Sequence, residues 1–180
     1  TDEPFWRKAN RDKIIFCYAG NIGEAHNDVF LLELIRQLDP DKHLILLRLY
    51  GAKAERVLKE AASFKSVTIL DYITPAEMLY VDICVASLLP AWNHVCVPSK
   101  VVSAINSGIP VLYNATEESE GACMFPDAVW LVPDSTDLQR SVSVLLNALS
   151  ENEIFEKKEA AQRYAQELLR VEYNSYSDLL

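Results

Sequence analysis

The sequence predicts an α/β domain in which a roughly six-stranded parallel sheet lies between two layers of helices. Two observations indicate this architecture. Short apolar runs rich in Ile, Val and Leu recur along the chain, and segments with helical spacing separate them. Continuous apolar runs suit strands buried on both faces, and alternating strands and helices imply right-handed βαβ units. The expected fold is therefore Rossmann-like, with a ligand bound beyond the carboxyl ends of the strands.

The apolar runs give the expected strands. They lie at 13–20, 43–51, 67–72, 82–89 and 110–114, with a weaker run at 128–133. The first helix follows from Phe30, Leu34 and Leu38, which repeat every four residues, with Asn27 or Asp28 as its N-cap. Proline near a helix start and glycine just past a helix end then place the next three helices, at about 54–62, 75–81 and 99–107.

The part of the chain from Ser135 onward is expected to be wholly helical. It divides into two amphipathic segments, at 137–150 and 152–169, and a short end piece at 171–180. No linker, repeat or change of composition interrupts the chain, so residues 1–180 are expected to form a single domain.

Composition excludes several classes of protein. The chain has 180 residues, of which 50% are hydrophobic, so it can close one core. Its net charge of -9 argues against a broad nucleic-acid surface, which needs clustered Lys and Arg. The apolar runs are strand-sized and far below the roughly 20 residues that span a bilayer, so no transmembrane segment is expected.

The spacing of the cysteines and the first residues of the chain bear on the cellular compartment of the protein. The four cysteines, Cys17, Cys84, Cys96 and Cys123, have no paired spacing, and buried free thiols in a reducing compartment are the expectation. The first residues contain no signal core and no initiating Met, so we interpret the chain as part of a longer protein. A cytoplasmic location is expected, at most membrane-peripheral in the longer protein.

The loop after the first strand is a candidate ligand loop. It reads YAGNIGEAHND, in which Gly20 and Gly23 permit positive φ and a close approach of backbone to ligand. The spacing is not that of the G-x-G-x-x-G fingerprint, which disfavours a nicotinamide cofactor, and no P-loop motif occurs. His26, just before the helix, could bond a phosphate or a sugar hydroxyl, although a surface histidine beside Asn27 and Asp28 is otherwise ordinary.

A second candidate region follows the fourth strand. A long loop, LPAWNHVCVP, leads to a helix that opens at Ser99 and Lys100. Free amides in the first turn and the helix dipole favour an anion there, and a lysine at this end is unfavourable for helix stability alone. A bound phosphate would explain Lys100, and a solvated lysine is the alternative. In the same loop, His94 could line the cleft with Trp92 and Asn93.

Two segments together carry a family resemblance. YAGNIGEAHNDVFLLELI resembles the opening of the C-terminal domain of bacterial group 1, GT4-like glycosyltransferases, in which a Gly-Asn-x-Gly loop and a His precede the first helix. VPSKVVSAINSGIPVLYNA is similar to the Pro-Ser-Lys, helix, Gly-x-Pro-Val segment of the same group. The resemblance runs from about Lys13 to the tail in order and spacing.

The resemblance implies half of a GT-B enzyme. This half would bind a UDP- or GDP-linked sugar, and an N-terminal domain absent from the chain would bind the glycan or lipid-linked acceptor. Neither a metal nor a further cofactor is expected. Lys100 and His26 are the implied catalytic groups. The implied nucleotide-sugar contacts come from four regions of the chain: Gly20, Asn21, Ile22 and Gly23 near the diphosphate and sugar, Asp71, Tyr72 and Ile73 near the base, Ser99 and Lys100 at the diphosphate, and Glu120 near the sugar or nucleotide.

The sequence departs from the commoner pattern of that group. Where many members have two Glu separated by seven residues, Val95 and Ser103 stand here. Ser103 can still offer its hydroxyl to the ribose. Asn21 and His26 lie near the usual positions of a basic pair. The donor sugar and the retaining stereochemistry therefore stay open.

One acidic run adds a further candidate. Glu117, Glu118 and Glu120 follow the fifth strand, where related enzymes place an acidic residue close to the sugar or nucleotide. Glu120 is the one singled out, and a solvated charged face is the alternative.

The resulting hypothesis is a hexosyltransferase-like glycosyltransferase of surface polysaccharide synthesis, with this fragment inactive by itself. Two alternatives remain at this point. One is a GT-B epimerase acting on a nucleotide sugar, which would share this half. The other is a non-catalytic α/β nucleotide-binding or regulatory domain, which the missing carboxylates leave open.

Overall fold

A computed structural model describes residues 2–93, 95, 99–135 and 137–177 of the chain. His94, Cys96 and Pro98, which entered the sequence argument, lie outside the described residues. Six strands form one sheet in the order β3-β2-β1-β4-β5-β6, and every neighbouring pair is parallel. The strands are β1 Ile14–Asn21, β2 His43–Tyr50, β3 Val67–Ile69, β4 Ile83–Ser87, β5 Val111–Ala115 and β6 Val129–Pro133. The predicted α/β fold with a six-stranded parallel sheet is confirmed.

Helices connect the strands and cover both faces. They are α1 Phe5–Lys8, α2 Asp28–Gln37, α3 Ala54–Ala61, α4 Pro75–Met78, α5 Ser99–Asn106, α6 Glu120–Met124, α7 Leu138–Ala148 and α8 Glu151–Ser177, with 3-10 turns at Pro90–Trp92 and Pro126–Ala128. Asn27 is the N-cap of α2, because its side chain accepts a hydrogen bond from the Phe30 N–H.

The sheet separates two hydrophobic clusters. Phe16 and Tyr18 of β1 pack on the face that α2, α3 and α7 cover, whereas Ile15 and Cys17 pack toward α5 and α8. Successive residues of a strand point to opposite faces, so a strand covered on both sides must be apolar throughout. This explains why the sequence of β1 is a continuous apolar run.

Several elements differ from the sequence prediction. The short helix α1 was not predicted; it buries Trp6 against the core. β3 and α4 are shorter than expected: β3 lies at the edge with only β2 as a neighbour, and α4 begins at a capping box of Thr74 and Glu77 and ends at Met78. The helix α8 includes residues 171–177, predicted as part of a separate end piece, because no Pro or Gly interrupts it.

The sequence also predicted the state of the cysteine thiols and the absence of membrane-spanning segments. Cys17 and Cys84 are buried and free, as expected. Cys123 is also free, as expected, but its expected burial was wrong, because it is exposed on α6. In the part of the chain that the structure describes, no helix combines the length and the apolar character needed to cross a membrane.

The strand order positions the ligand site. The chain adds strands outward on one side from β1 to β3, then returns to place β4 on the other side of β1. The loops after β1 and β4 consequently diverge and leave a crevice beyond the carboxyl ends of these strands. In open α/β sheets, ligands bind at this switch point.

Candidate functional site

A cavity of about 610 Å³ opens at this switch point. Its volume falls within the range of small-molecule sites, roughly 300–1,000 Å³. Its floor contains Cys17, Cys84 and Met78, with Cys17 Sγ 4.0 Å from Met78 Sδ. Tyr50 and Tyr72 lie at its rim and are 52% and 66% exposed. The cavity therefore has an apolar floor and aromatic side chains at its mouth.

Most of the site residues predicted from the sequence meet in this cavity. The loop after β1, the loop after β3 and the first two turns of α5 each contribute to the lining. The predicted residues among the lining are Gly20, Asn21, His26, Tyr72, Ile73, Ser99, Lys100 and Ser103. The first turn of α5, Ser99 to Val101, faces the cavity, and the first amides of a helix have no acceptor within it.

Other predicted residues do not line the cavity. Ile22 is fully buried, and its backbone N–H donates to the Tyr50 carbonyl at 2.8 Å, so it holds the loop against β2. Gly23 has no positive φ, and its N–H donates to His26 Nδ1. Glu120 lies exposed at the start of α6, and the exposed Asp71 also lies outside the lining.

The long loop after β4 contributes less than expected. Trp92 and Asn93 are half-buried and do not line the cavity; the Asn93 side-chain amide donates to Thr116 Oγ1. Val95 is 72% exposed, whereas Ser103, the other position at which related enzymes have Glu, does line the cavity.

The central polar contact joins His26 and Lys100. Lys100 Nζ lies 2.9 Å from His26 Nε2, across 74 positions of sequence. Gly20 permits this approach, because a Cβ at Gly20 would stand only 3.3 Å from Lys100 Cε. Gly20 also has a φ of +125°, in the region that favours glycine. The positive φ expected at Gly20 is thus confirmed.

The electrostatics of the cavity are unbalanced. Among the described residues that line it, Lys100 is the only Lys, Arg, Asp or Glu, and it forms no ion pair. Burial lowers the pKa of Lys100 to about 8. Burial and the nearby positive charge of Lys100 lower the pKa of His26 to about 4. Lys100 is therefore a half-buried basic group with no carboxylate partner among the described residues.

A network outside the cavity fixes His26. Lys53 Nζ donates to the His26 carbonyl at 2.7 Å and pairs with Asp28 Oδ1 at 3.0 Å. Arg56 holds the other oxygen of Asp28 at 3.0 Å. The backbone of His26 is therefore anchored to the starts of α2 and α3, which orients the ring toward Lys100.

Sequence analysis missed Gly51, which supports the same loop. Its φ is +105°, and a Cβ there would collide with the side chain of Asn21. Ile22 of this loop donates its N–H to the Tyr50 carbonyl at 2.8 Å, and its carbonyl accepts a hydrogen bond from the Lys53 N–H at 3.0 Å. The available signal was a glycine directly after the second apolar run, but its contact with Asn21 depends on the pairing of two strands.

Comparison with solved structures identifies the fold. WaaG, a glycosyltransferase involved in lipopolysaccharide biosynthesis, is 17% identical, with a TM-score of 0.63 over 89% of this chain and 45% of its own. The C-terminal domain of the group 1 glycosyl transferase LpcC from Francisella tularensis is 15% identical, with a TM-score of 0.60 over 92% and 90%. A TarM variant from S. aureus, solved with ligands that include UDP, is 14% identical, with a TM-score of 0.62 over 91% and 35%.

These comparisons define the class of fold. This chain spans less than half of WaaG and TarM but nearly all of the LpcC domain. No family model and no curated protein sequence matches it. Because the identities are low, the likeness is one of fold, and that fold is the GT-B glycosyltransferase domain. More particularly, it is the fold of the C-terminal domain of group 1 enzymes, as the sequence resemblance implied.

Proposed function

We propose that this chain is the donor-binding half of a GT4-like glycosyltransferase that moves a hexose from a UDP- or GDP-linked sugar to a glycan or lipid-linked acceptor. An N-terminal domain would bind the acceptor. We further propose that the whole protein serves surface polysaccharide synthesis in the cytoplasm or at its membrane face. The isolated half is inactive in this proposal because it holds only one of the two substrates.

One observation carries the proposal. Lys100 is the only charged side chain among the described residues that line the cavity, and it sits in the first turn of α5. A helix N-terminus and a lysine that has no carboxylate partner together favour a dianionic group such as a diphosphate. The neighbouring apolar and aromatic surface suits a ligand that also carries a base.

The lining residues suggest how a nucleotide sugar would lie. The diphosphate would meet Ser99 and Lys100, and the ribose would lie near the Ser103 hydroxyl. The base would contact Tyr72 and Ile73, whose position at the mouth allows stacking and backbone contacts. The sugar would then lie toward the loop after β1, the location of His26.

In this arrangement the chain stabilises the leaving group. Transfer breaks the bond between the anomeric carbon and a diphosphate oxygen, and the departing nucleoside diphosphate takes the bonding electrons. Preorganised donors that face this oxygen lower the barrier, because negative charge develops there. Lys100, the first amides of α5 and His26 would supply these donors.

The test is a titration of the isolated chain with UDP, GDP, ADP and CMP, followed by backbone amide shifts in NMR. We expect saturable shifts for one diphosphate at the loop after β1, at Tyr72 and Ile73, and at Ser99 to Ser103. Shifts that cluster elsewhere, or no shifts with any of the four nucleotides, would contradict the proposal.

A variant pair makes the titration specific. Lys100→Ala is expected to weaken binding by about 1–2 kcal/mol, the scale of a charge-assisted contact. Lys59→Ala removes an exposed lysine of α3 that does not line the cavity, and is expected to leave affinity unchanged. Equal affinities in the two variants would remove Lys100 from the site.

A further inference from the structure

The hydrogen bonds of His26 fix the position of its proton. Gly23 N–H donates to His26 Nδ1 at 3.0 Å, so Nδ1 must present a lone pair. A neutral imidazole has one N–H and one lone pair, which leaves the proton on Nε2. The imidazolium form would place an N–H against the N–H of Gly23. His26 is therefore neutral and directs its Nε2–H at Lys100 Nζ, 2.9 Å away.

This geometry constrains Lys100 as well. An ammonium group has three donors and no acceptor, so it cannot accept the hydrogen bond from Nε2–H. A neutral amine has a lone pair and can. The 2.9 Å contact is therefore satisfied when Lys100 is an uncharged amine. Burial acts in the same direction, since it lowers the pKa of Lys100 to about 8.

Charged groups beyond the cavity do not reverse this preference. Lys53, at the start of α3, contacts the carbonyl of His26 and adds a positive charge that disfavours a second one nearby. Asp28 of α2 is the nearby carboxylate of this network, and Lys53 and Arg56 already engage both of its oxygens at 3.0 Å. The negative charge of Asp28 is thus already neutralised, and it does little to stabilise the ammonium form of Lys100.

Groups inside the cavity contribute little opposing charge. The ring of Tyr18 lies 5.6 Å from Lys100 Nζ and attracts a cation weakly. Among the described residues, the other titratable side chains of the lining are thiols and phenols, from β1, β2, β4, β5 and the loop after β3: Cys17, Tyr50, Tyr72, Cys84 and Tyr113. None of these described residues therefore supplies a strong counter-charge for the ammonium form.

We propose that donor binding by this site is proton-linked: at alkaline pH the empty site holds Lys100 mainly as a neutral amine bonded to His26, and a nucleoside diphosphate then binds with uptake of a proton from solvent onto Lys100 Nζ. This inference rests on the proposed function. The new ammonium releases Nε2–H of His26 and donates to a diphosphate oxygen. The freed Nε2–H then becomes a second donor toward the ligand, and His26 acts as a positioning residue for Lys100 in the empty site.

Calorimetry measures the proton directly. UDP and GDP are titrated into the protein at pH 8.5 in buffers of different ionisation enthalpy, and the dependence of the observed heat on that enthalpy gives the protons taken up. With a Lys100 pKa of about 8, about three quarters of the protein is unprotonated at this pH, so we expect uptake of about 0.7 proton. The terminal phosphate of the nucleotide is already ionised and contributes none.

A matched pair of variants assigns the proton. Lys100→Arg keeps a cation that does not lose its proton, so uptake is expected to vanish while nucleotide still binds. Its affinity is expected to be flat with pH, whereas the wild-type affinity falls by up to about tenfold per pH unit above 8. Lys59→Arg, on the surface of α3, is expected to keep the wild-type uptake.

The outcomes separate this inference from the proposed function. Nucleotide binding without proton uptake at pH 8.5 would overturn the inference and leave the donor site in place, whereas no nucleotide binding would overturn both. A readout without ligand is the side-chain titration of the free protein by NMR. We expect an Nε2–H tautomer for His26 and a Lys100 titration near pH 8; a titration near the ordinary lysine value of 10.5 would overturn the inference.

Discussion

In the proposed function, Lys100 is the residue at which ligand binding and stability of the fold oppose each other. Its ammonium would be half-buried, next to a histidine nitrogen that carries a proton, with no carboxylate within the described lining. Such a group is tolerated in a fold when it serves a ligand, because desolvation is not repaid until the ligand binds. Removing the charge should therefore help the fold and harm binding.

We expect Lys100→Met to raise the free energy of unfolding at pH 7 by about 1 kcal/mol, a value reduced for solvent screening of a half-buried group. The pKa of Lys100 is lower in the fold than the ordinary 10.5, so the unfolded chain holds the proton more tightly and the native state is penalised at pH 7. The gain should diminish as pH rises from 8 to 10.5. Urea unfolding measures it.

Two comparisons make this result specific to Lys100. Lys59→Met, at an exposed position, is the control and should change stability little. The nucleotide titration of Lys100→Met should show binding weakened by about 1–2 kcal/mol. A variant that is less stable at pH 7 than the wild type would mean that the lysine is not penalised in the fold.

His26 is expected to make the protein sensitive to acid. Its pKa falls from 6.5 in an ordinary environment to about 4 in the fold, so the unfolded chain binds a proton first on acidification. Stability is lost between about pH 6.5 and 4. Between pH 7 and 5 we expect the wild type to lose about 1 kcal/mol more than His26→Asn, allowing for screening of the half-buried ring.

Urea unfolding at the two pH values measures this difference. His43, whose pKa is also lowered by burial, contributes an acid sensitivity that both proteins share. The comparison therefore isolates His26. Identical losses in wild type and His26→Asn would contradict a neutral, constrained imidazole at position 26.

At the scale of elements, the ends of β1 and β2 behave as one unit. The strands pair from Ile14 with His43 to Asn21 with Tyr50, and Gly51 continues beside the side chain of Asn21. The Ile22 N–H donates to the Tyr50 carbonyl, which closes the unit. The geometry of the ligand loop is thus set by the strand next to it.

Two glycine substitutions test this coupling. Gly51→Ala would force a φ of +105° on a residue with a Cβ and push that Cβ into Asn21, for an expected loss of about 2 kcal/mol or more. Gly23→Ala meets only ordinary contacts, the nearest at 3.4 Å, and has no positive φ, so we expect a loss below about 0.5 kcal/mol. Urea unfolding of both variants measures the difference, and equal losses would contradict the coupling.

The paired ends of β1 and β2 also show how much of the fold can be predicted from local sequence patterns. The continuous runs at 13–20 and 43–51 predicted buried strands, since each residue of such a strand faces a covering helix, and the strands lie at 14–21 and 43–50. Gly20 could be expected in a ligand loop from its place after a strand. Gly51 could not be related to Asn21, because their contact arises only when β1 and β2 pair in this register.

The candidate site could likewise be predicted only in part from the sequence. Lys100 was singled out because a lysine in the first turn of a helix has no local reason to be there. Its pairing with His26 spans 74 residues and was not predicted. Glu120 was chosen because related enzymes have an acidic residue after the fifth strand, but here it lies in α6, outside the cavity lining. Sequence order thus indicated which loops contribute, whereas tertiary packing decided which of their residues face inward.

At the scale of the whole molecule, the site is open on the side away from the sheet. Tyr50 and Tyr72 at the rim remain 52% and 66% exposed. A reaction that develops charge on a sugar requires exclusion of water and a positioned acceptor. In the proposed function this chain holds only the sugar donor, so a second domain would have to supply both.

We therefore expect donor binding and sugar transfer to be separable. The chain alone should bind UDP or GDP in the titration yet release no labelled sugar from UDP-glucose or GDP-mannose to a lipid-linked acceptor. The longer protein should transfer sugar, and Lys100→Ala in that protein should lower transfer by about five- to thirtyfold, the rate equivalent of 1–2 kcal/mol. Transfer by the isolated chain at the rate of the longer protein would contradict the need for a second domain. Full transfer by the Lys100→Ala variant would instead contradict leaving-group stabilisation by Lys100, because the diphosphate would then depart without its principal cation.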